Sequence, residues 1–272
     1  MKIFGIQKLT LLDYPGKTAA TLFFGGCDFR CPFCHNASLV FAGSDINSVL
    51  GSGADSALGS AGSAFGGAGS AFGGGSSNFG NNGGSARSNA IETEEVLQFL
   101  QKRIGLLDGV CLSGGEPLLQ KGLENFISEI KDLGYLVKLD TNGNSFEKLK
   151  SLIESDLLDY VAMDIKNSLE SYGKTVGIRG FDTTGVEKSA DFLLAGSTPY
   201  EFRTTVVREL HGPADFHSLG KRFKGADNYF LQRFEASDNT LTQGLSACTS
   251  EEMNSYRAIL AKYIPSVTIR GM

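Results

Sequence analysis

Short apolar, β-prone runs alternate with amphipathic stretches along most of the chain. Residues 19–24 are apolar and rich in Phe, Leu and Thr, which predicts a buried strand. Further strands are expected at 109–112, 136–140, 159–165, 200–207, 228–234 and 266–269. Between them, apolar positions at helical spacing predict helices over 91–103, 118–133, 145–154, 185–194, 213–223 and 250–263. Thr93 is the expected N-cap of the first, and Gly134 the natural stop of the second. Regular β–α alternation implies right-handed crossovers and a parallel sheet. Six or seven strands suit an α/β fold of the curled, incomplete barrel type, read as a single domain over 1–272. Ligands of such a sheet gather where strands end and loops begin.

One segment departs from this pattern. Residues 43–90 consist mainly of Gly, Ser, Ala and Asn with scattered Phe, and hold 14 of the 35 glycines and three charged residues. Such a composition buries too little apolar surface to offset chain entropy, so a low-complexity, disordered insertion is expected there.

Thirty acidic against 25 basic side chains give a net charge of −5. That argues against a broad electrostatic grip on nucleic acid. No apolar run reaches the roughly 20 residues of a membrane span, and the start of the chain lacks a signal-peptide pattern. The expected location is the cytoplasm, where the five cysteines point to metal ligation or thiol chemistry rather than disulfides.

Three of those cysteines follow the first predicted parallel strand. Cys27, Cys31 and Cys34 have C-x₃-C-x₂-C spacing behind Gly25-Gly26. A short glycine-led loop lets three thiols converge on one soft metal centre, and three thiolates can hold three corners of a [4Fe–4S] cube with the fourth iron open. From the loop alone, three other readings remain. Cys31-Pro32-Phe33-Cys34-His35 fits haem attachment. Cys31 and Cys34 could form a redox pair. Cys27, Cys31, Cys34 and His35 could bind zinc.

The cysteine loop after the first strand of a β/α chain resembles the radical S-adenosylmethionine (SAM) superfamily. The wider context, Asp13-Tyr14-Pro15-Gly16-Lys17 through Cys34-His35-Asn36, resembles the anaerobic ribonucleoside-triphosphate reductase activating proteins among the glycyl-radical enzyme activases. The resemblance covers nearly the whole chain outside 43–90. It implies an incomplete (β/α)6-type barrel, a [4Fe–4S] cluster on Cys27, Cys31 and Cys34, and SAM on the open iron. It also implies that one-electron cleavage of SAM yields a 5′-deoxyadenosyl radical, which takes a hydrogen atom from a glycine of a partner enzyme. A flavodoxin- or ferredoxin-type donor would supply the electron.

Other positions follow from the same resemblance. Ser113, Gly114, Gly115 and Glu116 match the segment that holds the amino group of SAM. Phe33 would place the adenine through its backbone. Asp140, Thr141 and Asp164 match a monovalent-cation site beside the SAM carboxylate in some activases. Lys166 suits a carboxylate or ribose contact, Asn142 accompanies Asp140 at its strand end, and Arg203 matches a position that could contact SAM. Gln232 is a weaker pocket candidate. His211 and His217 are read as surface residues, Cys111 as core, and Cys248 as packed or solvent-facing. Those two remaining cysteines cannot supply a second four-cysteine cluster. Alternative functions are activation of a pyruvate formate-lyase-type enzyme, radical modification of a small molecule, or a non-catalytic iron–sulfur or zinc protein.

Overall fold

The computed structural model describes residues 1–42 and 90–272. Except for Ala90, the low-complexity stretch read at 43–90 lies outside the described residues. The described residues form one eight-stranded sheet whose spatial order follows the chain: β1 (Ile3–Thr10), β2 (Ala19–Phe24), β3 (Gly109–Gly114), β4 (Leu136–Thr141), β5 (Tyr160–Asp164), β6 (Tyr200–Val206), β7 (Tyr229–Arg233) and β8 (Val267–Arg270). From β2 to β8 every pairing is parallel. β1 is antiparallel to β2 and was not anticipated; its register shifts between Ile3 and Gly5 and between Gln7 and Thr10. β1 and β8 are the two edges, so the sheet does not close.

The connecting helices are α1 (Ala37–Val40), α2 (Thr93–Gln101), α3 (Leu123–Asp132), α4 (Phe146–Glu154), α5 (Tyr172–Val176), α6 (Thr184–Leu194), α7 (Pro213–Arg222) and α8 (Ser250–Leu260). Two boundaries differ from expectation. Glu92, not Thr93, is the N-cap of α2, and no side chain caps it. The stretch 118–133 is not one helix. A 3₁₀ turn at Pro117–Leu119 comes first, and Gly122, at φ 74°, separates it from α3. Gly134 ends α3 in the left-handed region at φ 88°, as its position suggested. Among the described residues no helix is long and apolar enough to cross a membrane.

Strand periodicity explains how this sheet makes a polar interior. On β4, Val137 and Leu139 are fully buried among the hydrophobic core, while Lys138 and Asp140 share the other face and pair with each other. On β6, Phe202 and Val206 join the core, and Glu201 and Arg203 take the opposite face. Ion pairs then reach across non-adjacent strands: Arg203 on β6 lies 3.4 Å from Asp140 on β4, and Arg270 on β8 meets Glu201 on β6 at 2.9 Å. These contacts tie next-nearest strands on one face of the sheet. The loop after β7 also touches the loop after β2, with Thr242 N–H donating to Pro32 O at 2.9 Å.

Candidate functional site

The cysteine loop leaves β2 through Gly25 and Gly26. Gly26 adopts φ 88°, and its N–H and that of Cys27 donate to Leu39 and Val40 of α1 at 2.8 and 3.2 Å. A Cβ on Gly25 would meet the Phe4 ring at 2.2 Å, so glycine is required by packing there. Phe29 and Phe33 are buried and anchor the loop in the core. Between them, Cys31 is buried, and Cys27 and Cys34 are half-buried. Burial raises all three thiol pKa values, to about 12 for Cys27 and about 11 for Cys31. Without a metal these thiols stay protonated, so metal binding must release their protons.

The three cysteines line one cavity of about 270 Å³ at the carboxyl ends of the strands. The sequence-derived candidates Phe33, Ser113, Gly114, Gly115, Glu116, Asp140, Thr141, Asn142, Asp164, Lys166 and Arg203 all lie on its wall, together with Gln232. Sequence separations of more than 200 residues are thus brought to one site by strand order alone.

The Gly114-Gly115 pair is in close contact with the backbone of the cysteine loop and of β2. A Cβ on Gly114 would stand 2.5 Å from Phe24 N, and one on Gly115 would stand 2.1 Å from Gly26 O. Glu116 N–H donates to Gly26 O at 2.8 Å. The pair therefore seats the cysteine loop against the end of β3. Asn36 adds a further tie, its Nδ2 donating to Gly114 O at 3.2 Å.

Glu116 is buried (1% exposed). Burial pushes its pKa up to about 7 although three protein donors favour its charge. Oε1 accepts from Leu118 N–H at 3.1 Å and Thr141 Oγ1 at 2.8 Å, and Oε2 accepts from Asn142 N–H at 2.7 Å. An ionised carboxylate has about four acceptor positions, so three occupied positions leave one open on a residue that lines the cavity.

Sequence reasoning missed Asp28 and Asn144. Asp28, inside the cysteine motif, accepts from Asn142 Nδ2 and Asn144 Nδ2 at 2.7 Å each. This carboxylate latches the cysteine loop to the turn after β4. An acid flanked by ligating cysteines and an Asn-x-Asn turn were the available signals.

The far wall is ionic. Asp164 contacts Arg203 Nε at 2.8 Å and Lys166 Nζ at 2.9 Å. Asp140 contacts Lys138 and Arg203, and accepts from Ser113 Oγ at 3.0 Å. Burial alone would raise the pKa of both acids, but Arg203, helped by Lys166 at Asp164 and by Lys138 at Asp140, holds them below the usual carboxylate range. Burial opposes the charge of Lys166 and Arg203 too, yet their acid partners raise both pKa values. Three cations against two carboxylates leave the network one positive charge.

His211 is not at the surface. It is 4% exposed, its Nδ1 accepts from Val207 N–H at 3.1 Å, and its Nε2 faces Lys166 O at 2.9 Å. Nδ1 also lies 3.2 Å from Val207 O, so the ring is held by backbone on both sides, and burial lowers its pKa. His217 is exposed, while Cys111 and Cys248 are buried. His35 is exposed and packs its ring against Phe234 at 5.3 Å.

The donor set fits an iron–sulfur cluster. Three free thiols face one cavity, and sulfur ligands suit iron–sulfur centres. Among the described residues no three His, Cys, Asp or Glu side chains are grouped as ligands of one metal ion. A cube does not require that grouping, because each thiolate binds a different iron.

Comparison with known proteins agrees with this chemistry. Residues 21–193 match the model of the radical SAM superfamily. A provisionally named glycyl-radical enzyme activating enzyme from Methanocaldococcus jannaschii is 28% identical over 98% of this chain and 94% of its own. The pyruvate formate-lyase-activating enzyme of Clostridium pasteurianum is 25% identical over 66% of this chain and 60% of its own. Among solved structures, Streptococcus suis SuiB with its precursor peptide SuiA shares the fold at a TM-score of 0.61 and 11% identity, covering 92% of this chain and 48% of that one. With more than half of its length matched by the family model, and a cavity that gathers three free cysteines at the sheet's carboxyl end, the chain belongs to the radical SAM superfamily.

Proposed function

We propose that this protein is a glycyl-radical enzyme activase. The observation that carries the reading is the nearly end-to-end match to the M. jannaschii relative. Cys27, Cys31 and Cys34 would hold the [4Fe–4S] cluster, and the open acceptor position of Glu116 suits the ammonium of SAM. Lys166 and Arg203 suit its carboxylate, since the ionic wall carries one excess positive charge. Ser113, Gly114, Gly115 and Phe33 line the same cavity, and the backbone of Phe33 would meet the adenine. Bound there, the cluster and SAM supply one-electron reductive cleavage and hydrogen-atom abstraction. The chain's own work is to position them and exclude water.

A monovalent cation beside Asp140, Thr141 and Asp164 would compete with Arg203, Lys138 and Lys166 for the two carboxylates, while Thr141 Oγ1 already donates to Glu116. These contacts favour the reading that the three side chains do the cation's work. The two cysteines outside the loop support a single cluster: Cys111 packs with Tyr14 and Ala19 on the strand interior, and Cys248 is in the main core.

The partner we favour is an anaerobic ribonucleoside-triphosphate reductase, from the Asp13-Tyr14-Pro15-Gly16 context and Cys34-His35-Asn36, with a flavodoxin or ferredoxin as electron donor. The test is anaerobic reconstitution with iron and sulfide, reduction, and incubation with SAM and either a reductase or a pyruvate formate-lyase-type enzyme. A glycyl radical seen by electron paramagnetic resonance on the reductase alone supports the finer reading. A radical on the lyase alone replaces it, and 5′-deoxyadenosine formed with no radical on either removes the activase reading.

A further inference from the structure

The polar groups of the cavity wall divide into two sets. On the side built by the ends of β3 to β5, together with Arg203, the polar side chains are engaged within the protein. Ser113 donates to Asp140, Glu116 has three donors, and Asp140 and Asp164 pair with Lys138, Lys166 and Arg203. The side built by β6 and β7 differs. Thr205 and Gln232 are register partners across those strands, and both line the cavity. Among the described residues neither the Thr205 hydroxyl nor the Gln232 carboxamide has a side-chain hydrogen-bond partner.

The chemistry of this free pair is specific. A hydroxyl beside a carboxamide offers N–H and O–H donors and a C=O acceptor with no net charge. That complements a peptide group, which has one donor and one acceptor. A phosphate or carboxylate would call for cations; neither member of the pair carries charge, and Arg203, the cation next to it, is shared by Asp140, Asp164 and, in the reading above, the carboxylate of SAM. The pair lines the same cavity as Cys27, Cys31 and Cys34.

We infer that Thr205 and Gln232 hold the peptide backbone of the substrate segment, and so select a polypeptide over an anionic small molecule. This rests on the activase reading and adds to it the residues that grip the substrate. Loss of one such hydrogen bond weakens binding by about fivefold.

The test uses reconstituted, dithionite-reduced protein with SAM and blocked pentaglycine deuterated at every Cα. One readout is the fraction of 5′-deoxyadenosine that carries deuterium; the other is peptide affinity by NMR titration. Thr205→Val, which keeps the shape of threonine, and Gln232→Ala are each expected to lower the deuterated fraction and the peptide affinity about fivefold. Thr205→Ser, which keeps the hydroxyl, should stay within about twofold of the parent. Parent-like transfer in both Thr205→Val and Gln232→Ala overturns the inference alone. So does a weaker SAM affinity with an unchanged deuterated fraction, which would assign the pair to the cofactor. If the parent protein transfers no deuterium from the peptide while still raising a glycyl radical on a partner enzyme, this inference is overturned alone; if it does neither, the activase reading fails and this inference falls with it.

Discussion

Asp28→Ala removes the latch between the cysteine loop and the turn after β4. The carboxylate accepts two amide N–H bonds, both 2.7 Å long, from side chains 114 and 116 positions away. A hydrogen bond to a charged group contributes about 1.5–3 kcal/mol. Asp28 is only half-buried, so the low end applies, and the pair together contributes about 3 kcal/mol. For a fold of this size that corresponds to a fall in Tm of roughly 6–12 °C. Thermal unfolding of the metal-free protein, followed by circular dichroism, measures it without interference from the cluster. The sharper assay is a double-mutant cycle with Asn144→Ala, because Asn144 Nδ2 has Asp28 as its partner. The two changes should couple by about 1–2 kcal/mol. Strict additivity, within about 0.3 kcal/mol, would show that the contact does not hold the loop, and the account of a pre-set cysteine loop would fail with it.

Other expectations follow from the same contacts. Glu116 has a folded-state pKa of about 7 against an ordinary 4.5. The folded protein therefore binds the extra proton more tightly, and this residue's contribution to stability declines by about 3 kcal/mol as pH rises from 4.5 to above 7. Urea titrations of the parent and Glu116→Gln should diverge by that amount across the window; parallel curves would contradict it. Gly115→Ala places a Cβ 2.1 Å from Gly26 O, and should reduce reconstituted iron content severalfold, whereas a parent-like content would show that the two loops do not seat each other. Arg203→Met leaves Asp140 and Asp164 without their shared guanidinium and should cost about 3–5 kcal/mol in denaturant unfolding. A change under about 1 kcal/mol would mean that Lys138 and Lys166 suffice.

Much of the architecture was readable because β2, β3 and β5 carry nearly continuous apolar runs while β4, β6, β7 and β8 mix apolar and polar positions in short β-prone runs, and all seven parallel strands were legible. β1 was not, because it is an edge strand whose positions are mostly half-buried or exposed and whose ladder is interrupted. The helix expected from residue 118 failed locally: its apolar spacing continues through Gly122, but that glycine takes a positive φ and restarts the helix. Cavity residues were legible where they end predicted strands, as with Asp140 and Asp164, since topology brings strand ends together. His211 was misread because nothing near it in sequence signals burial; its partners are the backbone of Val207 and, 45 positions away, Lys166. Asp28 and Asn144 escaped for the same reason. An Asn-Gly turn explains itself locally, and the carboxylate that Asn142 and Asn144 serve lies on another loop.

The most direct test of the account is Mössbauer spectroscopy of protein reconstituted with ⁵⁷Fe under anaerobic conditions, recorded before and after SAM is added. Three cysteine ligands and one open iron predict that about a quarter of the absorption shifts on addition of SAM while the rest stays as it was, and that Cys31→Ser abolishes the cluster signal. A spectrum unchanged by SAM, or a cluster retained in Cys31→Ser, would contradict the assignment of Cys27, Cys31 and Cys34 as the three ligands of an open-cornered cube.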